Sequence, residues 1–139
     1  MLNINISNLQ EKLPIPEMRI KKLIHKILKG ENFKKKGYIN ICFTDNSLIK
    51  ELNARFLKTP KATDVLAFNL SNKAAPAILA DIAISTDIAI NNARYFKTSP
   101  ESELMLYVAH GVLHILGFND HTKTQIQLMR KKERKYVDR

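Results

Sequence analysis

The sequence has a single cysteine, Cys42, so no disulfide can form within the chain. No apolar run approaches the roughly 20 residues that span a bilayer. The first residues, MLNINISNLQEKLP, lack the basic and then apolar segments of a secretory signal. There is no internal repeat and no low-complexity linker. These absences argue against a membrane-spanning or exported protein, and we expect a cytoplasmic protein with one domain over residues 1–139.

Acidic residues are scarce relative to basic ones. The chain has 23 Lys+Arg and 13 Asp+Glu, which gives a formal net charge of +10 and a pI near 9.8. One interpretation is a soluble surface that is rich in lysine. The other is a polyanionic partner, most simply RNA or DNA. Charge alone does not name the nucleic acid.

Hydrophobic periodicity predicts interleaved strands and helices. The predicted strands are 4–7, 38–44, 63–70 and 77–85. Five helices are predicted. The first lies within 14–30, where an apolar stripe that includes Met18 ends at Gly30. The second follows a cap at Asp45 or Asn46, the third a cap at Ser85 or Thr86, the fourth a cap at Ser99, and the fifth covers about 122–137.

The helix after Ser99 is apolar on nearly every face from Leu104 to Leu116, which predicts that it is buried on most sides. Pro100 suits its first turn and Gly117 is well placed to end it. We therefore predict an α+β (or α/β) fold, with a small mixed sheet of about four strands packed with helices around this central helix.

Three of the four histidines lie in the stretch HGVLHILGFNDH, residues 110–121. His110 and His114 are four residues apart, so on a helix they lie about 40° apart on one face and can bind one divalent metal. Gly117 allows the chain to turn back, and either Asp120 or His121 can supply a third ligand. An isolated pair of this kind is usually filler, but two imidazoles in an apolar helix need partners. We predict a metal site.

A glutamate is missing where a metalloprotease needs one. In the H-E-x-x-H motif the residue after the first histidine is the general base, and this chain has Gly111 there. Peptide hydrolysis is therefore disfavoured. A metal-bound water could still attack a phosphodiester, because Zn²⁺ can lower the pKa of its water to about 7.

Three blocks of the sequence resemble the YbeY family of metal-dependent endoribonucleases. The family patterns are roughly H-G-x-L-H-L-x-G-Y-D-H, L-N-x-x-Y-R-x-x-D-x-P-T-D-V-L-S-F and G-D-I-x-I-S. The chain offers HGVLHILGFNDH, LNARFLKTPKATDVLAF and ADIAIS. The resemblance implies a single-strand-preferring, zinc-dependent endoribonuclease that acts in small-subunit rRNA 3′ end maturation and ribosome quality control. It also implies RNA and the small ribosomal subunit as partners, and His110 and His114 as catalytic metal ligands.

The chain departs from the family patterns at several positions. The arginine that is functional in the family's second block is Leu57 here, so its role does not transfer. Arg55, Lys58 and Lys61 are the cations that we expect to bind RNA instead. Alanine replaces family residues at three further positions, Ala62, Ala67 and Ala80.

Asn119 makes the last motif one residue longer, so the family's third histidine aligns with Asp120 without a gap and with His121 when a gap is introduced. Asp is an acceptable zinc ligand. An offset of ten residues from the first histidine, with glycine at seven, also occurs in H-E-x-x-H-x-x-G-x-x-H sites. We favour Asp120, with His121 orienting a ligand or contacting RNA.

Asp64 has two interpretations, a carboxylate that orients the metal site or a cap at the edge of a strand. The basic segment 130–135 likewise either binds phosphates or is a solvated face. For the whole protein the alternatives are a non-catalytic RNA-binding ribosome-assembly factor with a structural metal, and a metal-dependent hydrolase of another substrate.

Overall fold

The computed structural model describes residues 2–57, 63–72 and 74–137, with the side chains of residues 56 and 57 outside that description. Its strands are β1 (Leu2–Asn8), β2 (Lys36–Thr44), β3 (Val65–Asn69) and β4 (Ala77–Ser85). Its helices are α1 (Glu17–Gly30), α2 (Asn46–Leu57), α3 (Thr86–Phe96), α4 (Pro100–Ile115) and α5 (Lys123–Tyr136). The predicted α+β class with a four-stranded mixed sheet is confirmed.

The sheet has the strand order β1-β2-β4-β3. The first three strands in this order run parallel, and β3 pairs antiparallel to β4 at the edge. Most apolar side chains of the sheet face a large core that they share with α1 and α4. A smaller cluster packs Ile49 of α2 against Leu66 and Ala83. Because side chains alternate along a strand, neighbours such as Ala83 and Ile84 belong to different cores.

Helix α4 lies in the centre of the larger core, as its apolar sequence predicts. Ser99 caps its N-terminus by accepting the backbone N–H of Ser102 at 3.1 Å, and Pro100 is in its first turn. Gly111 lies against the sheet so closely that a Cβ atom there would be 3.0 Å from Cγ2 of Ile82. A side chain at this position would therefore require Ile82 to move by a few tenths of an ångström.

The C-terminus of α4 ends in a Schellman motif. Gly117 has φ +105°, its N–H donates to the carbonyl of His114, and the N–H of Phe118 donates to the carbonyl of Leu113, both at 3.0 Å. A left-handed residue costs little when it is glycine. The predicted role of Gly117 as the end of the helix is therefore confirmed, and the chain beyond it returns toward α4.

Several local predictions are sharpened or corrected. Asp45 and Ser85 are the capping side chains of α2 and α3. The prediction that Met18 belongs to the buried stripe of α1 is wrong, because Met18 is 70% exposed. Gly30 is the last residue of α1, as predicted, and the residue with a left-handed backbone after the helix is Asn32 (φ 57°). No helix in the described part of the chain is long and apolar enough to cross a membrane.

Candidate metal centre

The structure brings His110, His114 and Asp120 together. Both histidines project from the last turns of α4, and Asp120 reaches them from the segment after Gly117. The two Nε2 atoms are 3.0 Å apart, and Asp120 Oδ2 lies 3.4 Å from Nε2 of His110 and 3.5 Å from Nε2 of His114. Three ligand atoms thus face one point at the surface of the core.

The separations of these three atoms suit a tetrahedral ion. Ligand atoms about 2.0–2.2 Å from such an ion lie about 3.3–3.6 Å from one another. Two of the three observed separations fall in that range, and the Nε2–Nε2 distance of 3.0 Å is slightly shorter. Two imidazoles and one carboxylate form an acceptable donor set for a zinc-like ion that keeps an open position. The group could therefore hold a metal ion.

The electrostatics of His114 favour a neutral ring. Burial lowers the pKa of His114 and the neighbouring His110 lowers it further, while Asp120 acts in the opposite direction without reversing the shift. A neutral imidazole has a lone pair available for a metal, whereas an imidazolium has none.

Glu133 of α5 contacts the His110 ring on the side away from the ligand atoms. Its Oε2 atom is 2.6 Å from Nδ1 of His110, and its Oε1 atom accepts a hydrogen bond from Arg130 at 2.9 Å. Burial alone would raise the pKa of Glu133, but the hydrogen bonds from His110 and Arg130 outweigh it and lower the pKa. An ionised carboxylate here accepts a hydrogen bond from the Nδ1–H group, which leaves the Nε2 lone pair of His110 directed toward His114 and Asp120.

The sequence does not single out Glu133 as a site residue. The contact between His110 and Glu133 joins residues 23 positions apart on different helices, and no local sequence motif predicts such a contact. One signal was available, because Glu133 is the single acidic residue in α5, KTQIQLMRKKERKY. A lone acid in a strongly basic helix is a candidate for a buried partner, and Glu133 is only 3% exposed.

The other predicted site residues lie outside this cluster or outside the described residues. His121 is exposed, and its backbone N–H donates to Gln125. Arg55 is exposed in the last turn of α2 and lies 3.6 Å from Glu51. Lys58 and Lys61 lie outside the described residues. Asp64 accepts the backbone N–H of the next residue at 2.8 Å, as a cap at the start of β3 does.

Comparison with known proteins identifies the family of this chain. The model of the family described as Endoribonuclease YbeY matches residues 5–139. This chain belongs to the YbeY family. An Endoribonuclease YbeY from Desulforamulus reducens is 32% identical over 96% of this chain and 94% of its own length. Another from Syntrophus aciditrophicus is 34% identical over 94% of this chain and 84% of its own length.

A solved structure shares the fold. The solution structure of TM1509 from Thermotoga maritima superposes with a TM-score of 0.66 at 29% identity, and the match covers 96% of this chain and 86% of that one. Within the YbeY fold, Gly111 has a structural reason. A protease-type glutamate at this position would crowd the sheet, because its Cβ would lie 3.0 Å from Cγ2 of Ile82.

Proposed function

We propose that this chain is a metal-dependent endoribonuclease. The observation that carries the proposal is the cluster of His110, His114 and Asp120, whose ligand atoms lie 3.0–3.5 Å apart, in a chain of the YbeY family. Its curated relatives bear the name Endoribonuclease YbeY. The net charge of +10 favours a polyanionic substrate.

The proposed metal is one Zn²⁺ ion, held by His110, His114 and Asp120. Bound there, it would supply Lewis-acid chemistry toward a phosphodiester and a water of lowered pKa. His110 and His114 would bind through Nε2, with Glu133 holding the Nδ1 proton of His110. His121 is the alternative third ligand, and measuring the zinc content of Asp120→Ala and His121→Ala decides between them. Loss of zinc in His121→Ala alone would refute Asp120.

The proposed substrate is single-stranded rRNA. We propose that the protein acts at the 3′ end of small-subunit rRNA and in ribosome quality control, in the cytoplasm, as one metallohydrolase domain over residues 1–139. Arg55, Lys58 and Lys61 are proposed to bind flanking phosphates, and Asp64 is proposed to orient the site. Arg55 is exposed near the end of α2 and is free to reach a phosphate if its weak surface pair with Glu51 opens.

An assay of RNA cleavage tests the activity. Purified protein is incubated with RNA carrying a small-subunit rRNA 3′ end, with added Zn²⁺ or with chelator, beside His114→Ala and the control His25→Ala. His25 is exposed on α1 and lies outside the metal cluster. We expect cleavage by the wild-type protein and by His25→Ala only, and only with metal. Cleavage that survives chelation, or equal cleavage by His114→Ala, would refute the proposal of metal-dependent cleavage.

A second candidate is a non-catalytic RNA-binding assembly factor with a structural metal. Leu57, which stands where the family pattern has an arginine, favours it, because leucine cannot stabilise charge on a phosphate. This candidate predicts RNA binding without cleavage, and a large loss of thermal stability when the metal is removed. The same cleavage assay, run beside a binding measurement, separates the two.

A further inference from the structure

A groove runs beside the metal centre between α3, α4 and α5. It has a volume of about 680 Å³, and its walls include Phe96, Tyr107 and Glu133. Glu133 contacts Nδ1 of His110, while Asp120 approaches Nε2 on the other side of the same ring. One imidazole ring therefore separates the groove from the point that the three ligand atoms face. A strand bound at the metal centre would reach the groove by passing around this ring.

An exposed aromatic pair with basic neighbours borders this groove through Phe96. The segment Arg94, Tyr95, Phe96 and Lys97 forms the end of α3 and its cap, and all four residues are exposed. Tyr95 is 81% exposed and Phe96 is 57% exposed, with ring centroids 4.9 Å apart. Large aromatic rings left side by side in water are a costly surface unless they have a partner. Phe96 lines the groove itself.

The opposite wall carries exposed positive charge. Arg130 and Arg134 of α5 line the groove and are exposed. The groove also contains acids, but Glu103 and Glu133 are buried and hydrogen-bonded to protein partners. Asp64 is half-buried, and its carboxylate accepts a backbone N–H. Arg130 is paired with Glu133, so Arg134 carries the charge that a ligand meets first.

We propose that this groove binds the single-stranded RNA that flanks the cleaved phosphodiester. Phe96 stacks on a base, and Arg134 binds a phosphate. Aromatic faces interleaved with cations are the arrangement that binds single strands, because every base has a π-face and every linkage has a negative charge. The proposal rests on the proposed function for the identity of the ligand, and it assigns specificity for an unpaired strand to residues outside the metal cluster.

A binding experiment tests the groove separately from catalysis. Full-length protein carrying His114→Ala is titrated into a fluorescein-labelled single-stranded RNA of about ten nucleotides, and into the same sequence as a duplex, with anisotropy as the readout. We expect Phe96→Ala to raise the Kd for the single strand about tenfold and to change the Kd for the duplex little. Phe96→Tyr should retain binding, whereas Phe96→Leu should not, because leucine is apolar but cannot stack.

The charge component has its own readout. Arg134→Ala should weaken binding and reduce the slope of log Kd against log salt by about 0.7, the value for one phosphate contact to a single strand. The matched controls are Tyr38→Ala and Lys34→Ala. Tyr38 is a half-exposed aromatic residue of β2, and Lys34 is an exposed cation before β2. Both controls should bind like the parent protein.

Three results of these binding experiments would overturn or redirect the proposal. Equal losses in the groove variants and their controls would overturn the proposal, because binding would then follow total charge or surface area. Unchanged affinity in Phe96→Ala and Arg134→Ala would also overturn it and leave the aromatic pair to a protein partner. Groove-dependent binding by a wild-type protein that cleaves no RNA would support the groove and refute the proposed endoribonuclease.

Discussion

Replacement of Glu133 by glutamine should weaken metal binding without removing any ligand. Glu133 accepts hydrogen bonds on both oxygens, from His110 at 2.6 Å and from Arg130 at 2.9 Å. Glutamine offers one oxygen and one NH₂ group. If its oxygen faces His110, its NH₂ faces the guanidinium, and two donors oppose each other. If its NH₂ faces His110, it favours the tautomer protonated at Nε2, which cannot bind a metal there.

Either arrangement costs metal affinity. Loss of a partner behind a metal-bound histidine typically weakens binding 10–100-fold, which corresponds to about 1.4–2.8 kcal/mol. Because Glu133 is only 3% exposed, water cannot readily take its place and soften this loss. We therefore expect Glu133→Gln to raise the Kd for Zn²⁺ by at least tenfold, measured by competition with a chromophoric chelator.

Glu31→Gln is the matched control. Glu31 is another carboxylate with little exposure, and it accepts hydrogen bonds from Lys132 and Tyr136 outside the metal cluster. This variant should lower the unfolding temperature of the metal-free protein and leave the Kd for Zn²⁺ unchanged. A wild-type Kd in Glu133→Gln would refute the orienting role of Glu133. An equal rise in Kd in both variants would attribute the effect to general loosening of α5.

Two further changes test the packing and the electrostatics. Gly111→Ala should lower the free energy of unfolding by about 1 kcal/mol, measured by urea denaturation. The expected reason is that the crowding of Ile82 by the new Cβ exceeds the gain in helix propensity. A more stable variant would show instead that α4 can shift away from the sheet. A hydrogen bond from Lys12 and the backbone N–H of Asn46 lower the pKa of Asp87. Asp87 therefore stabilises the fold above about pH 3.9, and this contribution is lost as the pH falls through the lower folded pKa. Asp87→Asn should cost about 1 kcal/mol at neutral pH and little near pH 2, and a constant difference across that range would contradict the assignment.

The sequence predicted those features that local rules determine. Ser99, Pro100 and Gly117 mark the ends of α4 because helix caps act within a few residues. The apolar character of 104–116 predicted its central place for the same reason, since a helix that is apolar on all sides has to be buried. The spacing of His110 and His114 predicted their shared face, because helical geometry fixes it.

Features that depend on the packing between elements were out of reach. The contact between Glu133 and His110 requires the docking of α5 on α4, which no period in the sequence encodes. Met18 matched the apolar stripe of α1 but lies at its exposed edge, because the width of the buried face depends on its neighbours. The sequence predicts correctly that α1 ends at Gly30, but the close approach of Tyr136 to Gly30 is a tertiary contact that the residue type does not reveal.

The turn at Gly117 has a consequence for thermodynamic measurements. It places all three ligand atoms within residues 110–120, so the ligand set closes a very short loop. A short loop costs little entropy to close, and an unfolded chain can therefore chelate the ion as well. Ligand binding raises the unfolding temperature only to the extent that the folded state binds more tightly than the unfolded state. The thermal shift on adding Zn²⁺ will therefore underestimate the affinity of the folded protein. The difference in thermal shift between the wild type and Glu133→Gln will measure how much α5 contributes to metal binding in the folded state.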